Sequence, residues 1–600
     1  MSSLRLFPWI VGSAAASSGF LTSHSQVKSF PWTASTRSFN QALHDAFPGG
    51  HSVTSFTESR PGLDVSTGAF VGWVENDLLG GADPFGAHGG RVPLPWPQGS
   101  EYDDDQVGVG HYVAYSRRQL CFIVAKSLTG ATTDGYANGL QRFLEKRAGS
   151  CYPRTGDFGR GLVVLLEACY ADPALVDGGQ GPLLVVAKAS GAPAVGQVWA
   201  EAHAPLTRAG LRVCQYDDGA APLGGGLELV PSEGCQQPSA GAPGKDFMTG
   251  GLAGQATQDI SAAFLGGYVF GNACGLGGGQ DERLMTYFPE VFALTFFLSQ
   301  HPDHPQLREP AWILGARMLH VGLDGTTRHD HRMELDNGAP FTSDLVEIEV
   351  GSKKFMVASK TPFIGFMSEN QDFLNESAVW DGSRPIEDMR ESMFLARQNR
   401  HPDQRAVDDD TWFSFMYQVR AWHSAVALTS YHEDVRPALR AIVKSLGTGP
   451  FLSGLWFGDS QLGFLMIWIG HAIAAGTWAD GSRAGAPLPL QYYVYADFTE
   501  NPGNQCFVHA KDACQKCLAR CAANPLPRSS FWLPDWAFMG PGNNMSCVVD
   551  SEKYCGKKGF QDVVAAYSQK TAIRLWEDVE KILRAGPQTE SQIFDLLLAE

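Results

Sequence analysis

The stretch from Phe264 to Glu290, FLGGYVFGNACGLGGGQDERLMTYFPE, places the tightest local constraint on this chain. Three adjacent glycines, Gly277, Gly278 and Gly279, run directly into Gln280, Asp281 and Glu282. Glycine has no Cβ, so its main-chain N–H groups can approach a ligand closely. The segment that follows, Arg283 to Leu298, is amphipathic and rich in Leu, Met, Phe and Val, as a core-facing helix requires. The stretch therefore reads as a backbone-exposing loop that carries two carboxylates to a helix mouth. A helix N-terminus adds further N–H donors and a positive dipole end. This combination suits an anionic, phosphate-bearing ligand held beside an acid.

A second glycine loop, Gly449 to Gly458, also leads into a helical pattern. Glycine loops are common turns, and either one alone says little. Together they could grip a diphosphate from two sides. The apolar run after the second loop, Leu462 to Ala479, approaches membrane-spanning length. It contains Gly470 and His471 and no basic cluster flanks it, so it reads as a buried core helix and not as a span.

Charge narrows the partners. The net charge is −17, from 46 basic and 63 acidic residues, which argues against general electrostatic capture of DNA. A polyanionic ligand would need a local groove whose field opposes the global charge. The acidic run Asp103 to Asp105 reads as a solvated turn, and His329 and His331 as surface histidines in a loop. No cofactor or metal is expected.

Cysteines fall into two groups. Cys121, Cys151, Cys169, Cys214, Cys235 and Cys274 are scattered, whereas Cys506, Cys514, Cys517, Cys521, Cys547 and Cys555 crowd together. An even, dense group reads as a disulfide cluster in an oxidising compartment. The alternative is a zinc site of Cys514, Cys517, Cys521 and His509. The apolar run Leu4 to Ala16 resembles a secretory signal, although Arg5 and Pro8 interrupt it. The compartment stays open between the secretory pathway and cytoplasm or nucleus.

Along the chain, strands alternate with helices, which predicts an α/β fold with a mostly buried sheet. Residues 1–25 are the candidate signal segment, 26–105 an irregular extension, and 106–235 a helical region. A core follows over 240–505, then a Cys-rich segment and helical tail over 506–600. GPLLVVAKAS, AWILGA and QYYVYADF read as strands, and LVEIEVGSKKFMVAS as a hairpin turning at Gly351-Ser352. The helical region from about Pro385 is expected to stop at Gly447.

In this order, the residues resemble the poly(ADP-ribose) glycohydrolase family. That family's signature is a glycine triplet, a short spacer and Gln-Glu-Glu. Here Gln280-Asp281-Glu282 occupies the last position, and Pro289-Glu290 matches the Pro-Glu that follows. The family's second loop lines up without gaps on Thr448 to Asp459, with Trp456 in place of a Phe. LVEIEVGS resembles a core strand of the family, and SRRQLCFIVAKSL its helical accessory region. The resemblance covers roughly His111 to Glu500.

The resemblance implies a macrodomain-like three-layer core with a mixed sheet, an N-terminal helical accessory region and a Cys-rich C-terminal extension. It implies hydrolysis of ribose–ribose O-glycosidic bonds by a monomer acting on poly(ADP-ribose) or ADP-ribosylated proteins. Glu282 would protonate the leaving ribose hydroxyl and then activate water, while Asp281 would orient a substrate hydroxyl. Gln280, Gly278 and Gly279 would line the site, and Gly454, Trp456, Phe457 and Gly458 would cradle diphosphate and base.

The residues before Gln280 align in two ways. Without an insertion, the family's triplet falls on Phe270-Gly271-Asn272, and its Asp-Phe-Ala-Asn on Ala263-Phe264-Leu265-Gly266. With a short insertion, they fall on Gly266-Gly267-Tyr268 and on Asp259-Ile260-Ser261-Ala262, which keeps Asp259. The family's Asn is absent either way. That loss supports an alternative: an ADP-ribose-binding protein of weak or no catalytic activity.

Overall fold

Short apolar runs of the kind seen in GPLLVVAKAS and AWILGA assemble into one mixed sheet. The computed structural model describes residues 29–31, 70, 72–81, 84–85, 91–93, 112–129, 165–166, 169–170, 184–190, 198, 201–216, 255–257, 290, 311–316, 345–351, 353–358, 361–364, 411–443, 445–448, 460–479, 487–495, 511–512, 514–515, 556–584 and 593–599. The strands are β1 (Ser29–Pro31), β2 (Arg91–Pro93), β3 (Tyr112–Tyr115), β4 (Leu184–Lys188), β5 (Arg212–Tyr216) and β6 (Gln255–Thr257). They continue with β7 (Ala311–Leu314), β8 (Leu345–Val350), β9 (Lys353–Ala358), β10 (Thr361–Ile364), β11 (Ser445–Thr448) and β12 (Leu490–Tyr495). Eight of them form the main sheet, in the order β3-β4-β7-β10-β6-β11-β12-β5. The β10-β6-β11-β12-β5 pairings are parallel, and the β3-β4-β7-β10 pairings are antiparallel.

Both faces of the β3–β4–β7 strands are buried. Val185, Ala187, Trp312 and Leu314 join the main core cluster on one face. The alternating residues Val113, Tyr115, Val186, Lys188 and Ile313 are buried as well, outside that cluster. Coverage on both sides explains why these strands read as continuous apolar runs.

The helices are α1 (Arg117–Thr129), α2 (Thr411–Val426), α3 (Arg436–Ile442), α4 (Ser460–Ala474), α5 (Phe560–Tyr567), α6 (Ala572–Arg584) and α7 (Ile593–Leu597). Helix α4 is apolar all round and every described side chain from Gln461 to Ala474 is buried, as the sequence predicts for a core helix. Among the described residues, no helix is long and apolar enough to cross a membrane. Helix α2 crosses α4 closely at Gly470, where a Cβ would meet the Val419 carbonyl oxygen at 2.9 Å. Helix α6 turns Ala572, Leu575, Trp576, Val579 and Leu583 into the same core. Gln461 Oε1 accepts from the Phe594 N–H, so the tail locks onto α4.

Two expectations are corrected. The strand LVEIEV does not belong to the main sheet: β8 and β9 form a separate antiparallel hairpin, turning at Gly351 with φ +54°. Glu347 and Glu349 are exposed while Ile348 and Val350 are buried, the pattern of a ribbon covered on one face. The neighbouring Thr361–Ile364 supplies the core strand instead. Gly447 is likewise no helix stop. Helix α3 ends at Ile442, and Gly447 lies inside β11, paired with Gln491 of β12.

Of the two cysteine groups, the scattered one yields a disulfide, Cys121–Cys169, with both residues fully buried. Cys514 is also disulfide-bonded, which takes it out of the zinc set.

His471 lies fully buried in α4 and its Nε2 is 2.7 Å from the Leu488 carbonyl, which fixes Nε2 as the donor. Burial pushes its pKa down to about 4, against a smaller opposing effect of that hydrogen bond. The unfolded chain takes up a proton near pH 6.5, whereas the folded chain resists it down to about 4. Stability is therefore lost as pH falls through this window, by about 2 kcal/mol at pH 5 and about 3 kcal/mol at pH 4. Denaturant unfolding of wild type and His471→Gln at pH 7 and pH 5 should show a shallower pH slope in the variant. Equal slopes would contradict this assignment.

Candidate functional site

The register places two chain exits side by side. Ser445 pairs with Gln255 and Leu446 with Ala256, so β6 and β11 are parallel neighbours whose carboxyl ends lie at one sheet edge. The chain leaving β11 passes into α4 and returns as β12, on the side of β11 away from β6. The chain leaving β6 goes the other way and re-enters the sheet as β7, beyond β10. Connections that diverge from adjacent parallel strands leave a crevice outside the carboxyl ends, where open α/β sheets bind their ligands.

In the sequence, a glycine-rich segment follows each of these two strands. Asp259 is the second residue after the end of β6, and the stretch from Phe264 to Glu282 follows it. Gly449 is the first residue after β11, and the second loop then runs to the start of α4 at Ser460. Asp259, Phe264, Gly271, Asn272, Gly278, Gly279, Gln280, Asp281 and Glu282 lie outside the described residues, as do Gly454, Trp456, Phe457, Gly458 and Asp459. What is described is the frame on either side of them: β6, β11 and the 15-residue α4.

Three features of this frame were not legible as functional from sequence. The first is Thr448, the last residue of β11, which is fully buried. Its hydroxyl finds no hydrogen-bond partner among the described residues. A buried hydroxyl at the end of a strand is a ready donor to an anion or to nearby backbone.

The second is Lys188. It pairs with Ala311, which pairs in turn with Ile364, two residues past the Pro362–Thr257 pair. Lys188 thus ends its strand at the same sheet edge. Burial lowers its pKa to about 7, so a large fraction of the amine is neutral near physiological pH. Three strand spacings separate β4 from β6, about 14 Å, so Lys188 stands beside the crevice and not within it.

The third is an ion pair. Arg117, the first residue of α1, donates through Nη1 to Glu290 Oε1, with both side chains fully buried. Burial lowers the guanidinium's pKa, and the Glu290 carboxylate opposes this. Glu290 is helical and follows Glu282 by eight positions. The pair joins the end of the Phe264–Glu290 stretch to α1, across 173 residues of sequence.

No family model and no curated protein matches this chain.

Proposed function

We propose that this protein is a divergent hydrolase of the poly(ADP-ribose) glycohydrolase type, built on a macrodomain-like core. The observation that supports this reading is the divergence of chain connections between β6 and β11. In this reading, the carboxylate-bearing loop and the second glycine loop meet in one crevice at that sheet edge. In this reading, backbone N–H groups of the second loop and the α4 N-terminus hold the diphosphate. Glu282 protonates the glycosidic oxygen as the anomeric C–O bond breaks. The same carboxylate then takes a proton from the water that adds to the anomeric carbon. Asp281 orients a ribose hydroxyl, and Gln280, Trp456 and Phe457 line the base and ribose.

The buried Cys121–Cys169 bond and the bonded Cys514 support folding in an oxidising compartment. A second reading, ADP-ribose binding without turnover, draws on one feature: the family's substrate-positioning Asn is missing in either alignment.

Incubation of the purified full chain with poly(ADP-ribose), followed by chromatography of released ADP-ribose, tests the proposal. Release that depends on Glu282 supports hydrolysis. ADP-ribose binding by calorimetry with no release selects the binding-only reading. Neither release nor binding removes both.

A further inference from the structure

The β8–β9 hairpin stands apart from the main sheet and is held to the body by its buried face and by its turn. Ile348 and Val350 join the main core cluster, and β8 packs on α3. At the turn, the Gly351 N–H donates to the Asp434 carbonyl oxygen at 3.4 Å. A Cβ at Gly351 would meet Asp434 Oδ2 at 3.5 Å and the Tyr112 hydroxyl at 3.7 Å, so the turn lies directly on these two groups. Asp434 belongs to the 3₁₀ turn Glu433–Val435, which leads into α3.

Asp434 is the hub of this contact. Tyr112 of β3 donates its hydroxyl to Asp434 Oδ2 at 2.7 Å. The Asp434 N–H donates to His432 Nδ1 at 3.2 Å, so the imidazole caps the 3₁₀ turn. An N–H can only donate, so Nδ1 carries the lone pair and the ring proton sits on Nε2. His432 Nδ1 is also 3.6 Å from Asp434 Oδ2. The ring is therefore placed between an N–H, which needs it neutral, and a carboxylate, which favours it charged. Both side chains are part-exposed, so a proton reaches them from solvent. Of the other charges on these elements, Glu433 interacts with Arg436, whose guanidinium donates to the Tyr431 and Thr429 carbonyls. Arg440 lies one turn further along α3. The hairpin carboxylates Glu347 and Glu349 are exposed and interact with Lys354.

We propose that His432 is a proton-operated latch for the β8–β9 hairpin. The neutral ring caps the Asp434 N–H and steadies the carbonyl that holds Gly351. Protonation places a hydrogen on Nδ1, which ends that acceptance and turns the ring toward Asp434 Oδ2. Imidazoles change charge between about pH 5 and pH 8. The hairpin is thus held at neutral pH and loosened in acid, whatever the chemistry at the crevice.

Hydrogen exchange read by mass spectrometry tests this on full-length wild type and His432→Asn, at pH 7 and pH 5, after correction for intrinsic exchange rates. Asn offers Oδ1 to the Asp434 N–H and does not titrate. Protection of wild-type β8–β9 peptides should fall about fivefold at pH 5, as loss of one side-chain cap does. In His432→Asn it should stay level, while α4 peptides, which carry His471, respond to pH alike in both proteins. His432→Ser supplies a non-titrating acceptor if the Asn variant does not fold. Equal protection of the wild-type hairpin at both pH values, or an equal fall in the variant, overturns the latch.

Discussion

Replacing Glu282 with Gln should lower ADP-ribose release by about 10²- to 10⁴-fold while leaving ADP-ribose binding within a few-fold of wild type. The amide keeps the size and hydrogen-bonding reach of the carboxyl group but can neither give its proton to the glycosidic oxygen nor take one from water. Binding is expected to survive because, in the proposed reading, backbone N–H groups of the second loop and the α4 N-terminus would hold the diphosphate. Chromatographic release assays and titration calorimetry on the same preparations separate the two quantities. A fall in affinity that accounts for the whole loss of release would assign Glu282 to binding and not to proton transfer.

Removing the Cys121–Cys169 disulfide should cost about 4 kcal/mol of stability, because the bond closes a loop with a sequence separation of 48. Both residues are fully buried, so Cys121→Ala/Cys169→Ala also leaves two small voids that add to the loss. Denaturant unfolding measures this directly, as a lowered midpoint relative to wild type. A loss below about 1 kcal/mol would mean that the unfolded chain gains little freedom when the bond is removed.

Much of the frame was legible because its elements are long or strongly patterned. Helix α4 announces itself by being apolar on every side, which only a core position tolerates. Strands β4 and β7 are continuous apolar runs because they are covered on both faces. The same rule shows why LVEIEV is not a core strand. Its clean alternation of Glu347 and Glu349 with Ile348 and Val350 is the mark of a one-sided ribbon, and the structure builds it as one.

The strands that define the crevice were the hardest to see. β6 is the three-residue Gln-Ala-Thr, and β11 is Ser-Leu-Gly-Thr with a glycine inside it. Neither has a β-branched run, and both owe their strand geometry to pairing with each other and with β10 and β12. Gly447 read as a helix stop for that reason: its local chemistry fits a cap, and only the sheet makes it a strand residue. The Arg117–Glu290 pair had no local signal at all. A buried salt bridge between residues far apart in the chain shows in sequence only as two ordinary charges.

Gln280-Asp281-Glu282 and the Thr448 to Asp459 loop stand out in the sequence as motifs, and apart from Thr448 they lie outside the described residues. The parallel register of β6 and β11, which sequence did not supply, brings the two strand ends that precede these loops to one sheet edge.

A crystal structure of the full chain grown with ADP-ribose tests the proposed convergence of the two loops most directly. Diphosphate density is expected at the carboxyl edge of β6 and β11, against the segment that follows Thr448. The Glu282 carboxylate is expected within hydrogen-bonding distance of the ribose. ADP-ribose bound elsewhere on the molecule, or a Glu282 side chain that faces away from that crevice, would contradict it.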